Sequence, residues 1–462
     1  MKKIASLRRF IAEHRRYEVI ALLFIMMIIN QGDRATLSIA GASLSSEVGL
    51  NHAEMGWLFS AFAWAYMLLQ LPGGLLIDRF GSVKVLGLAI IGWSVFTAAI
   101  GTVAIMPIGL AFFAVFALRF MVGVAEAPCF PANSKIVSMW FPTAERGTAT
   151  AIFNSSQYFA AVVFTPLLAW ISTRWGWPWI FYVMGVAGIA TGVLFILRVK
   201  APVDHHSVTD VEIEEITAGG ANLQEQPASA GAKQSWSESL ASARGLLGQR
   251  MFLGIYIAQF CITTLTFFFL TWFPVYLVQQ RHMSILNAGL MAAVPAIFGF
   301  IGGIGGGMIS DWLLRKGLSL TLARKLPIFI GMALSMTMIL CNYVETDTLV
   351  VLFMALAFFG KGMGALGWAI IADVSPKRSA GMNGAIFNTF GSLAGIVTPV
   401  VIGYIVQATG SFNGALVYVA LNAAGAFFCY LFVVGELRRP EDTQGPKPQA
   451  LPDAVPPQPR VA

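Results

Sequence analysis

Five ionisable side chains stand inside long apolar stretches of this chain: Asp33, Arg34, Arg119, Glu126 and Lys361. Asp33 and Arg34 follow an unbroken apolar run, Val19–Ile29. A charge at that depth costs about 2.5–3.5 kcal/mol on insertion scales, so each such group is a functional candidate by default. Consecutive residues on a helix point about 100° apart, which gives Asp33 and Arg34 different surroundings. Arg119 and Glu126 lie two turns apart along one face. The spacing turns Asp33 toward Arg119 and Glu126 and leaves Arg34 facing a central cavity. Desolvation favours a neutral carboxyl and a nearby guanidinium favours a charged one, the balance a proton carrier needs. Asp33 and Glu126 therefore read as proton-coupling groups with Arg119 as their partner. The structural alternative is a permanent Asp33–Arg119 ion pair.

Arg34 reads as a clamp for a substrate carboxylate, because a guanidinium binds one through a bidentate fork. Its bland alternative is to neutralise Asp33. Lys361 sits in mid-span beside Gly360, Gly362 and Gly364, which are expected to open space around it. The alternative is snorkelling to an interface. If Lys361 faces the cavity, each half of the chain offers one cation, and such a pair suits a six-carbon diacid. A monoacid leaves one cation unmatched.

The elements that must hold these groups are membrane helices. The 462 residues are 57% hydrophobic and 11% charged, with a mean hydropathy of +0.72. A soluble chain carries about 25% charged residues. Apolar runs of about 20 residues, enough to cross a bilayer, recur throughout. They predict an all-α polytopic membrane protein with spans near 18–44, 53–77, 83–104, 107–136, 145–171 and 176–198. A second set follows near 251–279, 287–312, 323–343, 347–372, 379–406 and 412–435. Residues 1–17 form an N-terminal segment, and 199–250 form a polar linker with a short amphipathic helix near Val211–Ile216. A Pro-rich tail, read as disordered, runs over 436–462. The domains expected are thus six-helix bundles at 18–198 and 251–435.

With both termini cytoplasmic, 24 of the 30 Lys and Arg fall on that side and only Arg174 and Arg281 on the other. This is the positive-inside asymmetry. It accounts for the net charge of +7 without nucleic-acid binding. Ala40-Gly41-Ala42 at the end of the first run mimics a leader cleavage site, but the buried Asp-Arg pair and the later spans argue for a retained helix. The four cysteines are isolated and read as packing residues, with no metal or cofactor implied.

The halves repeat. Gly74-Leu75-Leu76-Ile77-Asp78 recurs as Gly307-Met308-Ile309-Ser310-Asp311, Ala151-Ile152-Phe153-Asn154 as Ala385-Ile386-Phe387-Asn388, and Thr165-Pro166 as Thr398-Pro399. Parallel repeats of six spans are the plan of a secondary transporter with its site between the halves.

Gly74-x-x-x-Asp78-Arg79-x-Gly81 and its echo at Gly307–Asp311, followed by Arg315, resemble the signature loop of the major facilitator superfamily. Asp33-Arg34-Ala35, Phe59-Ser60-Ala61-Phe62, Pro72-Gly73-Gly74, Glu126-Ala127-Pro128 and Phe269-Leu270-Thr271-Trp272-Phe273-Pro274 resemble its anion:cation symporter branch. Phe130-Pro131-Ala132-Asn133, Glu145-Arg146-Gly147-Thr148-Ala149, Leu322-Ala323-Arg324-Lys325-Leu326-Pro327 and Phe359-Gly360-Lys361-Gly362 are similar to bacterial glucarate/galactarate importers. The resemblance implies the major facilitator fold in a bacterial inner membrane and proton-coupled uptake of a sugar acid by a monomer. Galactonate or a hexuronate is the alternative substrate, and a transporter-like sensor a distant one. It places Tyr66, Gln157, Trp368 and Asn388 at positions that face substrate, with Asn154 and Gln259 as weaker candidates. Any of these could instead be a satisfied interhelical hydrogen bond.

Asp78, Arg79, Asp311 and Arg315 lie at the cytoplasmic edge and read as a latch between the halves that gates alternation. Lys135 reads as an interface anchor. Gly299, Gly303 and Gly307, like Gly302 and Gly306, repeat every four residues, which in an apolar span signals close helix packing. No paired nucleophile and base suggests an enzyme.

Overall fold

Apolar runs in a bilayer have no water to bond their backbone groups, so each must satisfy its own N–H and C=O groups as a helix. The computed structural model describes residues 15–205, 208–221, 223, 243–376 and 379–440, with the side chains of Leu71, Ala151 and Asn154 outside that description. The segments before Arg15 and after Pro440 and linker residues 206–207, 222 and 224–242 also lie outside it. In the first half the helices are α1 (Arg15–Val48), α2 (His52–Phe80), α3 (Ser82–Gly101), α4 (Ile108–Glu126), α5 (Cys129–Trp140), α6 (Arg146–Trp175) and α7 (Pro178–Arg198). The linker contributes α8 (Asp210–Ala218) at the expected amphipathic stretch. The second half has α9 (Arg250–Phe267), a π-turn over Phe268–Trp272, α10 (Phe273–Gln279), α11 (Ile285–Arg315) and α12 (Leu320–Ser335). It continues with α13 (Asp347–Met363), α14 (Gly367–Val374), α15 (Ala380–Thr409) and α16 (Asn413–Phe428).

All twelve expected spans are helical. Eleven are long and apolar enough to cross a membrane as they stand, and α2 is the twelfth when counted across its 57° bend. The helices overrun the apolar runs by a few residues, as at Arg15 and Arg315, because polar end residues prolong a helix beyond hydrocarbon.

The bends have covalent causes. Pro72 lacks an N–H and crowds the carbonyl four residues before it, bending α2. Pro128 separates α4 from α5 in the same way. The two breaks touch: a Cβ on Gly73 would lie 3.1 Å from the Pro128 backbone. Span ten breaks between Met363 and Gly367, matching the break in span four of the other half. Span seven carries its π-turn just before Pro274.

The halves meet at the end remote from the termini. A Cβ on Gly56 of α2 would lie 2.6 Å from the Pro399 carbonyl of α15, and one on Gly289 of α11 would lie 3.0 Å from the Thr165 carbonyl of α6. The His52 N–H donates to Gln407 at 3.1 Å, and its ring lies 3.1 Å from Gln279. Trp272 Nε1 donates to Pro399 O at 3.0 Å. Contact between these pairs continues inward to the Asn388–Gln70 bond and to Tyr158 against Phe300, and beyond it the glycines nearer the termini are uncovered. Gly74 of α2, Gly381 of α15, Gly147 of α6 and Gly307 of α11 have nothing within 4 Å of an added Cβ.

Candidate functional site

The site is built where the broken helices α2 and α4 meet α1. Arg34 donates from Nε to Glu126 Oε1 at 2.9 Å, and its Nη2 reaches the same oxygen. Glu126 is the last residue of α4, set there by the Pro128 break. The guanidinium lies 4.7 Å from the Phe62 ring centre and 5.4 Å from that of Tyr66, both on α2. These rings stack on each other and hold the fork in plane. The Arg34 side chain keeps 22% exposure whereas Glu126 keeps 1%. A cation that is paired, clamped and still reachable is suited to exchange its carboxylate partner.

Asp33 points elsewhere. Its Oδ2 is 3.9 Å from Arg119 Nη1, and neither carboxylate oxygen has a hydrogen bond. The expected arrangement is corrected in one respect: Glu126 is hydrogen-bonded to Arg34, and Asp33 and Arg119 form a loosely spaced pair beside them in the same charge cluster. The long Arg34 side chain spans the axial offset that spacing along α4 alone does not reveal.

Lys361 stands 5.2 Å from the Phe358 ring on α13. Leu352, which is 52% exposed, is nine residues away and so on the opposite face, turning Lys361 away from the exposed apolar side. Contrary to the expectation from sequence, the flanking glycines do not open space around it. Gly360 packs on the Gly331 carbonyl, Gly362 on that of Gly299, and a Cβ on Gly364 would lie 2.5 Å from Met332 Cε. They bring α13 onto α12 and α11, and this close packing fixes the direction of Lys361.

Gln157 is exposed, on the side of α6 opposite the apolar stripe Ile152, Phe159, Val163 and Trp170. Trp368 is 55% exposed and meets Phe387 edge-on. Asn388 donates from Nδ2 to Gln70 Oε1 at 2.8 Å, a bond between the halves. Gln70 was missed from sequence, although a glutamine in an apolar span next to Pro72 was a readable signal. Gln259 sits between Gly367 and Gly391, and the side chain of Asn154 lies outside the described residues.

The edge residues pair within their own halves. Asp78 bonds Lys135 at 3.0 Å, and Asp311 bonds Arg324, which also holds Asp373 at 2.9 Å. Arg79 lies over Phe80, and Arg315 donates to the Asp311 carbonyl at 3.4 Å. Among the described residues no ion pair joins the halves, so Asp78, Arg79, Asp311 and Arg315 form no latch between them in this arrangement. Lys135 is thus a partner of Asp78 and more than an anchor, and Arg324 and Asp373 join the set. No group of three or more metal-ligating side chains occurs among the described residues.

Fold and site together define a polytopic membrane protein of two six-helix bundles with a polar site at the broken helices. Residues 23–341 and 318–460 match the Major Facilitator Superfamily, and the chain belongs to that superfamily. It is 53% identical over 424 residues to the "Probable galactarate/D-glucarate transporter GudP" of Bacillus subtilis (strain 168), covering 92% of this chain and 93% of that one. It is 38% identical to a "D-galactonate transporter" of Escherichia coli O6:H1, covering 92% and 97%. Among solved structures, a bacterial homologue of the human lysosomal transporter Spinster, inward-facing and unoccupied, has the same fold. Its TM-score is 0.71 at 16% identity, covering 92% of this chain and 99% of that one.

Proposed function

We propose that this chain imports galactarate and D-glucarate across a bacterial inner membrane, coupled to protons, by alternating exposure of one central site. The 53% identity to a relative named for these substrates supports the substrate class. The observation that carries the mechanism is the Arg34–Glu126 pair. A substrate carboxylate and Glu126 compete for one guanidinium. A proton on Glu126 weakens its hold and frees the fork, so proton uptake and substrate binding favour each other. Asp33 carries a second proton against Arg119. Two protons with a dianion make the step electroneutral.

The basic bias at the end bearing the termini supports a cytoplasmic position for that end. The close contacts of α2 on α15 and α11 on α6 at the far end, with Gly74 and Gly307 uncovered at this one, support an inward-facing arrangement. Asp78, Arg79, Asp311 and Arg315 gate the cytoplasmic side by exchanging partners as it closes. The protein acts as a monomer and needs no metal or cofactor. Lys361 supplies the second cation for a diacid, with Tyr66, Gln157, Trp368 and Asn388 reading its hydroxyls. The galactonate-transporting relative favours a monoacid as the second reading.

Counterflow in proteoliposomes with labelled mono- and dicarboxylic sugar acids tests the assignment. Exchange of galactarate and glucarate ahead of galactonate is expected. Exchange of monoacids alone overturns it.

A further inference from the structure

Asp33 is 2% exposed, enclosed by the first bundle, while its neighbour Arg34 keeps 22% side-chain exposure. A proton on Asp33 therefore needs a path through the packed interior of the first bundle. Buried polar atoms without hydrogen bonds continue from Asp33 toward the end bearing the termini. Asn30, one turn along α1, has an unbonded Nδ2. Ser94 of α3 has an unbonded Oγ and lies at the level of Ile29, beside Gly188 of α7. Asn133 of α5 donates to Met27 Sδ at 3.0 Å and leaves its Oδ1 unbonded. Asn30 and Ser94 are 1% exposed and Asn133 0%. Each unbonded buried group costs about 1–3 kcal/mol, and bridging water is the usual remedy at a polar, buried position.

We propose that Asp33 exchanges its proton with the terminal side through the interior of the first bundle, along waters held by Asn30, Ser94 and Asn133. This route is separate from the substrate cavity and rests on the proton-coupled reading above. The Asp33 O–H bond breaks and its proton passes to the first water. Each water accepts one proton and passes one on, and the last is released at the surface. Asp33 remains as a carboxylate facing Arg119. The charged groups around it are Arg119 and Glu126 from α4 and Arg34 from α1. The helices α3, α7 and α6 present neutral groups, namely Ser94 and Thr97, Gly188, and Phe164 against Gly32.

The test reconstitutes the full chain carrying Ser94→Val, Asn30→Leu or Asn133→Leu. It compares galactarate counterflow, which needs no net proton movement, with galactarate-linked proton flux read by a trapped pH dye. The expected result is counterflow within twofold of wild type and proton flux at least tenfold slower, with Ser94→Thr restoring the flux. Wild-type flux in a variant with intact counterflow overturns the route. So does an equal loss of both activities in every variant that folds, since that marks a structural role. Absence of galactarate-linked proton flux in the wild type removes the coupling reading and the route with it. That outcome is distinct from a defect confined to the variants.

Discussion

Arg34 and Glu126, 92 residues apart, are joined through a single oxygen: Nε and Nη2 of the guanidinium both reach Glu126 Oε1. The second carboxylate oxygen, Oε2, is buried without a hydrogen bond. The acid thus occupies the fork without saturating it, and on the proposed mechanism it is the carboxylate that substrate displaces.

Replacing Glu126 by Gln removes the competing charge while keeping the shape. Galactarate should bind as tightly as in wild type or tighter in counterflow, while uphill uptake falls at least tenfold. Arg34→Lys keeps the charge and loses the fork. At about 1.5–3 kcal/mol for a charged hydrogen bond, affinity should fall about 10- to 100-fold. Counterflow titrations of both variants check the pair.

Lys361→Asn should separate substrates by charge. Its face is set by the glycine contacts of α13 with α11 and α12, so the substitution leaves packing intact. Diacid transport should drop far more than galactonate transport. Equal losses, measured by competition between labelled acids, would remove Lys361 from substrate recognition.

On the proposed inward-facing reading, alternation closes the terminal end by bringing together helices that already meet at the far end. Gly74 and Gly307 have free space around them in this arrangement. Gly74→Trp or Gly307→Trp should therefore leave thermal stability unchanged and abolish transport by blocking closure. Melting curves together with counterflow read both halves of that expectation.

Helix spacing on α11 gives a stability prediction. A Cβ on Gly302 would run into the Phe359 carbonyl, whereas one on Gly305 meets nothing within 4 Å. Gly302→Ala should cost about 1–3 kcal/mol and lower the melting temperature in detergent. Gly305→Ala should not change it.

The fold was legible because each apolar run had to close its own backbone hydrogen bonds, and the repeats at Gly74/Gly307 and Thr165/Thr398 showed two halves. The five charges within the spans were legible for the same reason, since charge in hydrocarbon stands out. Their partners were less so. Facing directions on a straight helix place Asp33 near Arg119, but the Glu126–Arg34 pair depends on the Pro128 break and on the reach of a long side chain. Likewise the glycines around Lys361 could signal open space or close approach. Only the positions of Gly331 and Gly299 decide between them. Arg324 and Asp373 went unread because their pairing is set by how α12 and α14 pack.

The most direct test of proton-coupled diacid import is labelled galactarate uptake into proteoliposomes under an imposed pH gradient, for wild type and Asp33→Asn. The account predicts accumulation above equilibrium in the wild type. It predicts none in Asp33→Asn, which should still exchange galactarate in counterflow. Gradient-driven accumulation by Asp33→Asn at the wild-type rate would contradict it.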